Sequence, residues 1–199
     1  MGIEKLETSI ELLRSSLARS TVEARFVKTA SIEIETVGQI LPLTDMLKQW
    51  YLIGAPNELC IPWLLEEMCL WSPQELVQGQ VGYRWTGEVG GVLCKSWDPQ
   101  WLVIGSNSAD PIIADTSYSE TPVLMAFHGT GTWNPKKIAD SIPGFLYILA
   151  IWVELCKQND DQIFDDEGEV KSSLLNDYRL LLEPILSDEC LNNFTSFWV

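Results

Sequence analysis

Residues 97–146 read WDPQWLVIGSNSADPIIADTSYSETPVLMAFHGTGTWNPKKIADSIPGFL, and they hold the chain's one histidine and three of its nine tryptophans. Three short apolar runs alternate here with turn residues. Trp101-Leu102-Val103-Ile104 is closed by Gly105 and the polar Ser106-Asn107-Ser108. Pro111-Ile112-Ile113-Ala114 is closed by Asp115-Thr116-Ser117, and Val123 to Phe127 is closed by Gly129. Runs of this length, β-branched and aromatic with turn residues between them, predict three strands of an antiparallel meander. Asp140 or Ser141 then caps a helix that tolerates Pro143 in its first turn and continues through Phe145, Leu146, Leu149 and Trp152.

Outward from this stretch the pattern turns helical at both ends. Ile3, Leu6, Ile10, Leu13 and Leu17 form the apolar stripe of an amphipathic helix. Ser31 to Val37 alternates, with Ile32, Ile34 and Thr36 on one face and Glu33 and Glu35 on the other, which predicts a strand. Pro42 or Thr44 opens a helix through Leu47, Trp50 and Tyr51, ended by Gly54-Ala55-Pro56-Asn57. Ile61 to Leu70 is apolar and compatible with a helix, and Ser72-Pro73-Gln74-Glu75 is a capping signal for the next one. Gly79 to Cys94, with five glycines, reads as an irregular loop carrying a strand at 92–94. Asn159 to Gly168 reads as an exposed acidic loop without the spacing of a calcium-binding EF-hand. Leu174, Leu175, Tyr178, Leu181, Leu182 and Ile185 trace a further helix, and Ser187 caps a last one bearing Leu191, Phe194 and Trp198. The expected fold is therefore α+β: a central, mostly antiparallel sheet of about four to six strands, from 32–37, 92–94, 101–105, 111–115 and 122–127, flanked by helices. One domain is expected over residues 1–199.

The composition narrows the function classes. A hydrophobic fraction of 46% over 199 residues supports a sizeable core. No apolar run approaches the roughly 20 residues of a membrane span, and the opening residues lack a basic n-region and apolar h-region, so a cytoplasmic protein is expected. Thirteen bases against 28 acids give a net charge of −15, which disfavours nucleic acid as a partner because phosphate binding needs a basic face. Residues 154–199 hold eleven acids and three bases, a net of −8. Such a field solubilises the chain and also steers a basic protein partner. The five cysteines, Cys60, Cys69, Cys94, Cys156 and Cys190, are odd in number and mostly inside apolar runs, which predicts reduced, partly buried thiols rather than a disulfide framework or zinc site. No cofactor or metal is expected.

Catalytic constellations are thin. One imidazole excludes multi-histidine metal sites. A hydrolase remains conceivable with Cys94 or Ser106 as nucleophile and Asp110 or Asp115 orienting His128, but no Gly-x-Ser-x-Gly elbow is present. His128-Gly129-Thr130-Gly131 lacks the lysine of a phosphate loop and reads as a turn in which the glycines supply positive φ. Binding without catalysis is the expectation. The turns after the central strands, around Asp110, Asp115, Tyr118 and Glu120, together with Trp133, combine carboxylates with aromatics and form the expected contact surface.

The order W-x-P-x-W-L-x-I-G from Trp97, D-P-x-x-x-D from Asp110, an apolar strand ending in H-G-T-G-x-W at Trp133, and A-D-S-x-x-x-F-L ending at Leu146 resembles the SMI1/KNR4 family of the SUKH superfamily. Leu41-Pro42, Leu47 and Trp50-Tyr51 resemble its Leu-Pro plus aromatic helix, so the likeness spans about residues 37–150, with 154–199 an acidic loop and helices beyond it. Ser108-Ala109 stand where members often carry glycines. The resemblance implies a small α+β domain that works by binding proteins, bacterial relatives being associated with immunity to polymorphic toxins, often nucleases. A fungal-type regulatory scaffold linked to cell-wall synthesis is the alternative it implies.

Overall fold

The computed structural model describes residues 2–18, 25–160 and 162–198. In chain order the elements are α1 (Gly2–Ala18), β1 (Arg25–Val27), α2 (Ser31–Gly38), α3 (Asp45–Gly54), β2 (Ala55–Asn57), β3 (Leu59–Trp63), β4 (Glu66–Leu70) and α4 (Pro73–Gly79). They continue with β5 (Trp85–Thr86), β6 (Val92–Leu93), β7 (Trp101–Asn107), β8 (Asp110–Asp115), β9 (Val123–Met125), β10 (Lys136–Ala139), α5 (Ile142–Gln158), α6 (Ser172–Leu182) and α7 (Asp188–Thr195). The architecture is α+β. Six strands form one antiparallel sheet in the order β10-β9-β8-β7-β4-β3, while β1-β2 and β5-β6 make two small two-stranded sheets.

The central strands read as unbroken apolar runs because both faces of the sheet are covered there. On one face Leu102, Ile104, Ile112, Ala114, Val123 and Met125 join a large core that reaches from Leu6 of α1 to Phe197. On the other, Val103, Ile113, Leu124 and Ala126 pack with Trp97 under Trp71, Tyr83, Trp101 and Trp133. Residues of odd and even position therefore bury in two separate clusters, as the pleat dictates.

Helices fill the first face. Leu6, Ile10, Leu13 and Leu17 are buried, and α1 lies along α5. Each such leucine or isoleucine contributes about 1.5–3 kcal/mol relative to an exposed side chain. The expected caps are present. Ser141 Oγ accepts from Gly144 N (3.2 Å), Ser187 Oγ from Cys190 N (3.3 Å) and Thr44 Oγ1 from Leu47 N (3.2 Å). At α4, Glu75 Oε2 reaches back to the Ser72 N–H (2.8 Å).

Three expectations need correction. Residues 32–37 are not a strand but lie in α2: Ile34 and Val37, three apart, are buried, whereas Ile32 is exposed. The alternation of isoleucines with glutamates fits both periods over so short a run, and packing on α3 and α4 selects the helical one. Residues 61–70 are not helical either; they form most of the β3–β4 hairpin, turning at Leu64-Leu65. Third, Cys60 and Cys69 are not free thiols. They face each other across that hairpin with Cα atoms 4.0 Å apart and form a disulfide, while Cys94, Cys156 and Cys190 are free. The strand at 92–94 exists only as Val92–Leu93, paired with Trp85–Thr86 outside the main sheet.

The outer edge of β7 is completed by side chains. β4 pairs with β7 from Met68↔Asn107 to Leu70↔Gly105, and Trp71 N donates to Ile104 O (2.9 Å) before the chain leaves for α4. Past α4, the fully buried Gln80 side chain takes over: its Nε2 donates to Val103 O (2.8 Å) and its Oε1 accepts from Val103 N (3.0 Å). Arg84 Nη1 then donates to Pro99 O (2.7 Å). Gly105, expected to close the strand, instead lies within it at a bulge, where a Cβ would collide with the Cys69 carbonyl oxygen.

Candidate functional site

One end of the sheet gathers the β3–β4 tip, the β7–β8 tip and the exit of β9. Both tips are two-residue turns, Leu64-Leu65 and Ser108-Ala109. Leu64 takes φ 53° and Ser108 φ 51°. Positive φ is uncommon for any side chain and an outlier for one as bulky as leucine, where Asn-Gly is the ordinary solution. Leu65 nevertheless stands 66% exposed at this strained tip.

Between these tips lies a cavity of about 390 Å³. Its walls are Trp63, Leu64, Leu65, Phe127, Val170, Leu175, Phe197 and Trp198, and its polar groups are Glu66, Asn107, Asp110 and Glu169. Trp63 is held by Trp152 (ring centroids 5.0 Å apart) and Phe194 (5.4 Å), and Phe127 packs at a tilt against Phe197 (4.6 Å). The aromatic walls are thus fixed by the core behind them.

Asp110 is the best-placed carboxylate. Its Oδ1 accepts from the His128 backbone N–H (2.7 Å) and lies 2.6 Å from His128 Nδ1, so one oxygen orients the strand exit and the imidazole together. Its Oδ2 has no hydrogen-bond partner among the described residues, and the side chain is 14% exposed. Glu66 and Glu169 enter no ion pair among the described residues. Among the described residues the buried Asn107 Oδ1 has no donor, and the indole N–H groups of Trp63 and Trp198 have no acceptor.

The five residues expected to form one contact surface are divided by the structure. Asp110 begins β8 at the cavity end, and Asp115 ends it at the other. Asp115 and Tyr118 share a separate open hollow with Lys136 and Lys137, so that end is of mixed charge. Lys137 bonds Asp140 (2.9 Å) and Glu189 (3.2 Å), and this bonding holds the Asp140 carboxyl below the usual carboxylate range. Glu120 is exposed beside them, its carboxyl lowered by the Ser119 hydroxyl. Trp133 is half-buried on the second face, against Tyr83 (5.5 Å) and Trp97 (5.5 Å).

The nucleophile pairs do not assemble around His128. The Cys94 thiol interacts with Ser96 (3.5 Å), whose hydrogen bonds lower its pKa, and Ser106 lies in β7 opposite Cys69. Among the described residues the atoms close enough to share a metal ion are the Cys60 and Cys69 sulfurs and a Glu67 carboxylate oxygen, within 4.8 Å of one another. A disulfide supplies no thiolate ligand, so that donor set does not suit a metal. No helix among the described residues is long and apolar enough to cross a membrane.

Sequence reasoning missed Trp63, Leu64, Leu65, Glu66, Asn107, Phe127 and Glu169 as neighbours in one site. Glu169 directly follows the acidic stretch that ends at Gly168 and so had a signal beside it, whereas a Leu-Leu turn gave none. No known protein family matches the chain, and no curated protein matches it.

Proposed function

We propose that this chain is a non-catalytic protein-binding domain of the SMI1/KNR4 kind, an immunity protein that neutralises a basic toxin domain by direct contact at the cavity end of its sheet. The observation that carries the reading is a hollow with aromatic walls and a rim of carboxylates that no lysine or arginine among the described residues pairs, beside an exposed leucine tip at positive φ. Such a rim speeds encounter with a basic protein, and the aromatic centre holds it. A nuclease toxin fits because it must be basic to hold nucleic acid. The reading places the chain in the cytoplasm, where an imported toxin is met. The Cys60–Cys69 bond argues the other way, since such bonds persist in oxidising compartments.

A hydrolase using His128 has one observation in its favour, the Asp110 contact that orients the ring. Co-expression with a basic nuclease toxin domain that the chain protects against separates the two. His128→Ala should still protect cells, while Glu66→Lys with Glu169→Lys should lose protection and slow association by at least tenfold at low salt. Asp115→Lys with Glu120→Lys, at the opposite end, should change little. Loss of protection on His128→Ala with binding intact would replace the binding reading with the hydrolase.

A further inference from the structure

We infer that the cavity between the two tips is a receptor for an arginine side chain of the protein partner. The inference rests on the proposed binding function and names the group recognised.

Four features of the hollow bear on its occupant. Its volume, about 390 Å³, lies within the range of roughly 300–1,000 Å³ typical of small-ligand sites. Its walls include the exposed ring of Phe127 and the half-buried ring of Trp198, to which a planar cation is attracted, backed by the buried Trp63 and Phe197. Its polar groups are acceptors in excess: Asp110 Oδ2, the Glu66 and Glu169 carboxylates and the unpartnered Asn107 Oδ1. Among the described residues no lysine or arginine lines it, and His128, on Asp110 Oδ1, is the one basic side chain paired with its carboxylates.

Charge excludes an anionic occupant, and an apolar one would cover Asn107 Oδ1 and Asp110 without supplying a donor. Between the two basic side chains, the guanidinium suits the site better. Its flat face stacks on the aromatic walls, and its five N–H donors, spread in a fork, can serve several separate acceptors at once. A lysine ammonium brings three donors on a strongly hydrated point charge. The peptide carbonyls beside an inserted arginine are acceptors of the kind the Trp63 and Trp198 indole N–H groups lack. Asp110, tied through Oδ1 to His128, is preorganised, so little side-chain freedom is lost on binding.

The probe is N-acetyl-arginine-N-methylamide, with the citrulline and lysine analogues as controls, titrated into the 15N-labelled protein. The arginine compound should shift the Trp63 and Trp198 indole and His128 amide resonances saturably, with a Kd of roughly millimolar order, as expected for a fragment of its size. Citrulline, equal in shape but neutral, should bind at least tenfold more weakly. Glu169→Gln, an exposed change that leaves the fold intact, should weaken the arginine compound several-fold, and so should Asp110→Asn. Equal binding of arginine and citrulline, tighter binding of lysine, or no shift at these resonances overturns the inference. Should Glu66→Lys with Glu169→Lys abolish partner binding while the arginine compound fails to bind, the arginine receptor falls and the contact surface stands. Should the compound bind while that double reversal leaves the partner's affinity intact, the partner docks elsewhere, and the arginine receptor falls together with the cavity-end contact surface while protein binding itself stands.

Discussion

Gln80 does the work of a strand with one side chain. β4 leaves β7 at Leu70, and the buried amide of Gln80 then supplies both a donor and an acceptor to Val103 and a further donor to Leu76 O (2.9 Å). Replacing it with leucine leaves the Val103 N–H and C=O buried without partners, each costing about 1–3 kcal/mol. Gln80→Leu should therefore lower unfolding free energy by about 2–5 kcal/mol in urea titration, and Gln80→Glu should cost at least as much by burying a charge. A loss below about 1 kcal/mol for Gln80→Leu would show that the edge of β7 is satisfied some other way. Leu64 is the opposite case, a residue whose backbone conformation is unfavourable locally and is held by the pairing of Trp63 with Glu66 on either side.

Among the elements, the β3–β4 hairpin carries the clearest consequence of its register. Cys60 and Cys69 are nine residues apart in sequence, and a bond closing so short a loop stabilises by about 2–3 kcal/mol on the chain-entropy argument. Cys60→Ser with Cys69→Ser should lower stability by up to that amount relative to the parent protein in denaturant titrations without reductant, and adding reductant to the parent should do the same. An unchanged midpoint would mean that the hairpin turn alone already constrains the unfolded chain. Legibility in the sequence followed the same physics. β7, β8 and β9 announced themselves because strands buried on both faces are uniformly apolar and bounded by turn residues, and α4, α5 and α7 did so through Ser72, Ser141 and Ser187 at their caps. The hairpin stayed hidden because Leu64-Leu65 carries no turn chemistry, and α2 because eight residues hold too few turns to separate two periods. The site was half legible. Asp110 was found through its turn, whereas Trp63, Asn107 and Phe127 meet it only through strand pairing, which sequence neighbours do not disclose.

For the molecule as a whole, the net charge of −15 is a self-repulsion that the fold bears at neutral pH. Ions pair it down: the Debye length falls to about 10 Å at 0.1 M salt. Raising sodium chloride from about 20 to about 200 mM should therefore increase Tm, by about 2–4 °C if the relief reaches 1 kcal/mol. A Tm that falls with salt would mean that the ion pairs, such as Lys137 with Asp140 and Glu189, outweigh the repulsion.

The packing of α1 on α5 sets a timetable for synthesis. Leu6, Ile10, Leu13 and Leu17 find their cover on a helix that ends at Gln158, so the stripe is made long before its partner leaves the ribosome. At roughly 5–20 residues per second that interval lasts on the order of ten seconds. Throughout it the growing chain has only α3 to offer the greasy helix, and the rest of that stripe stays uncovered until α5 emerges.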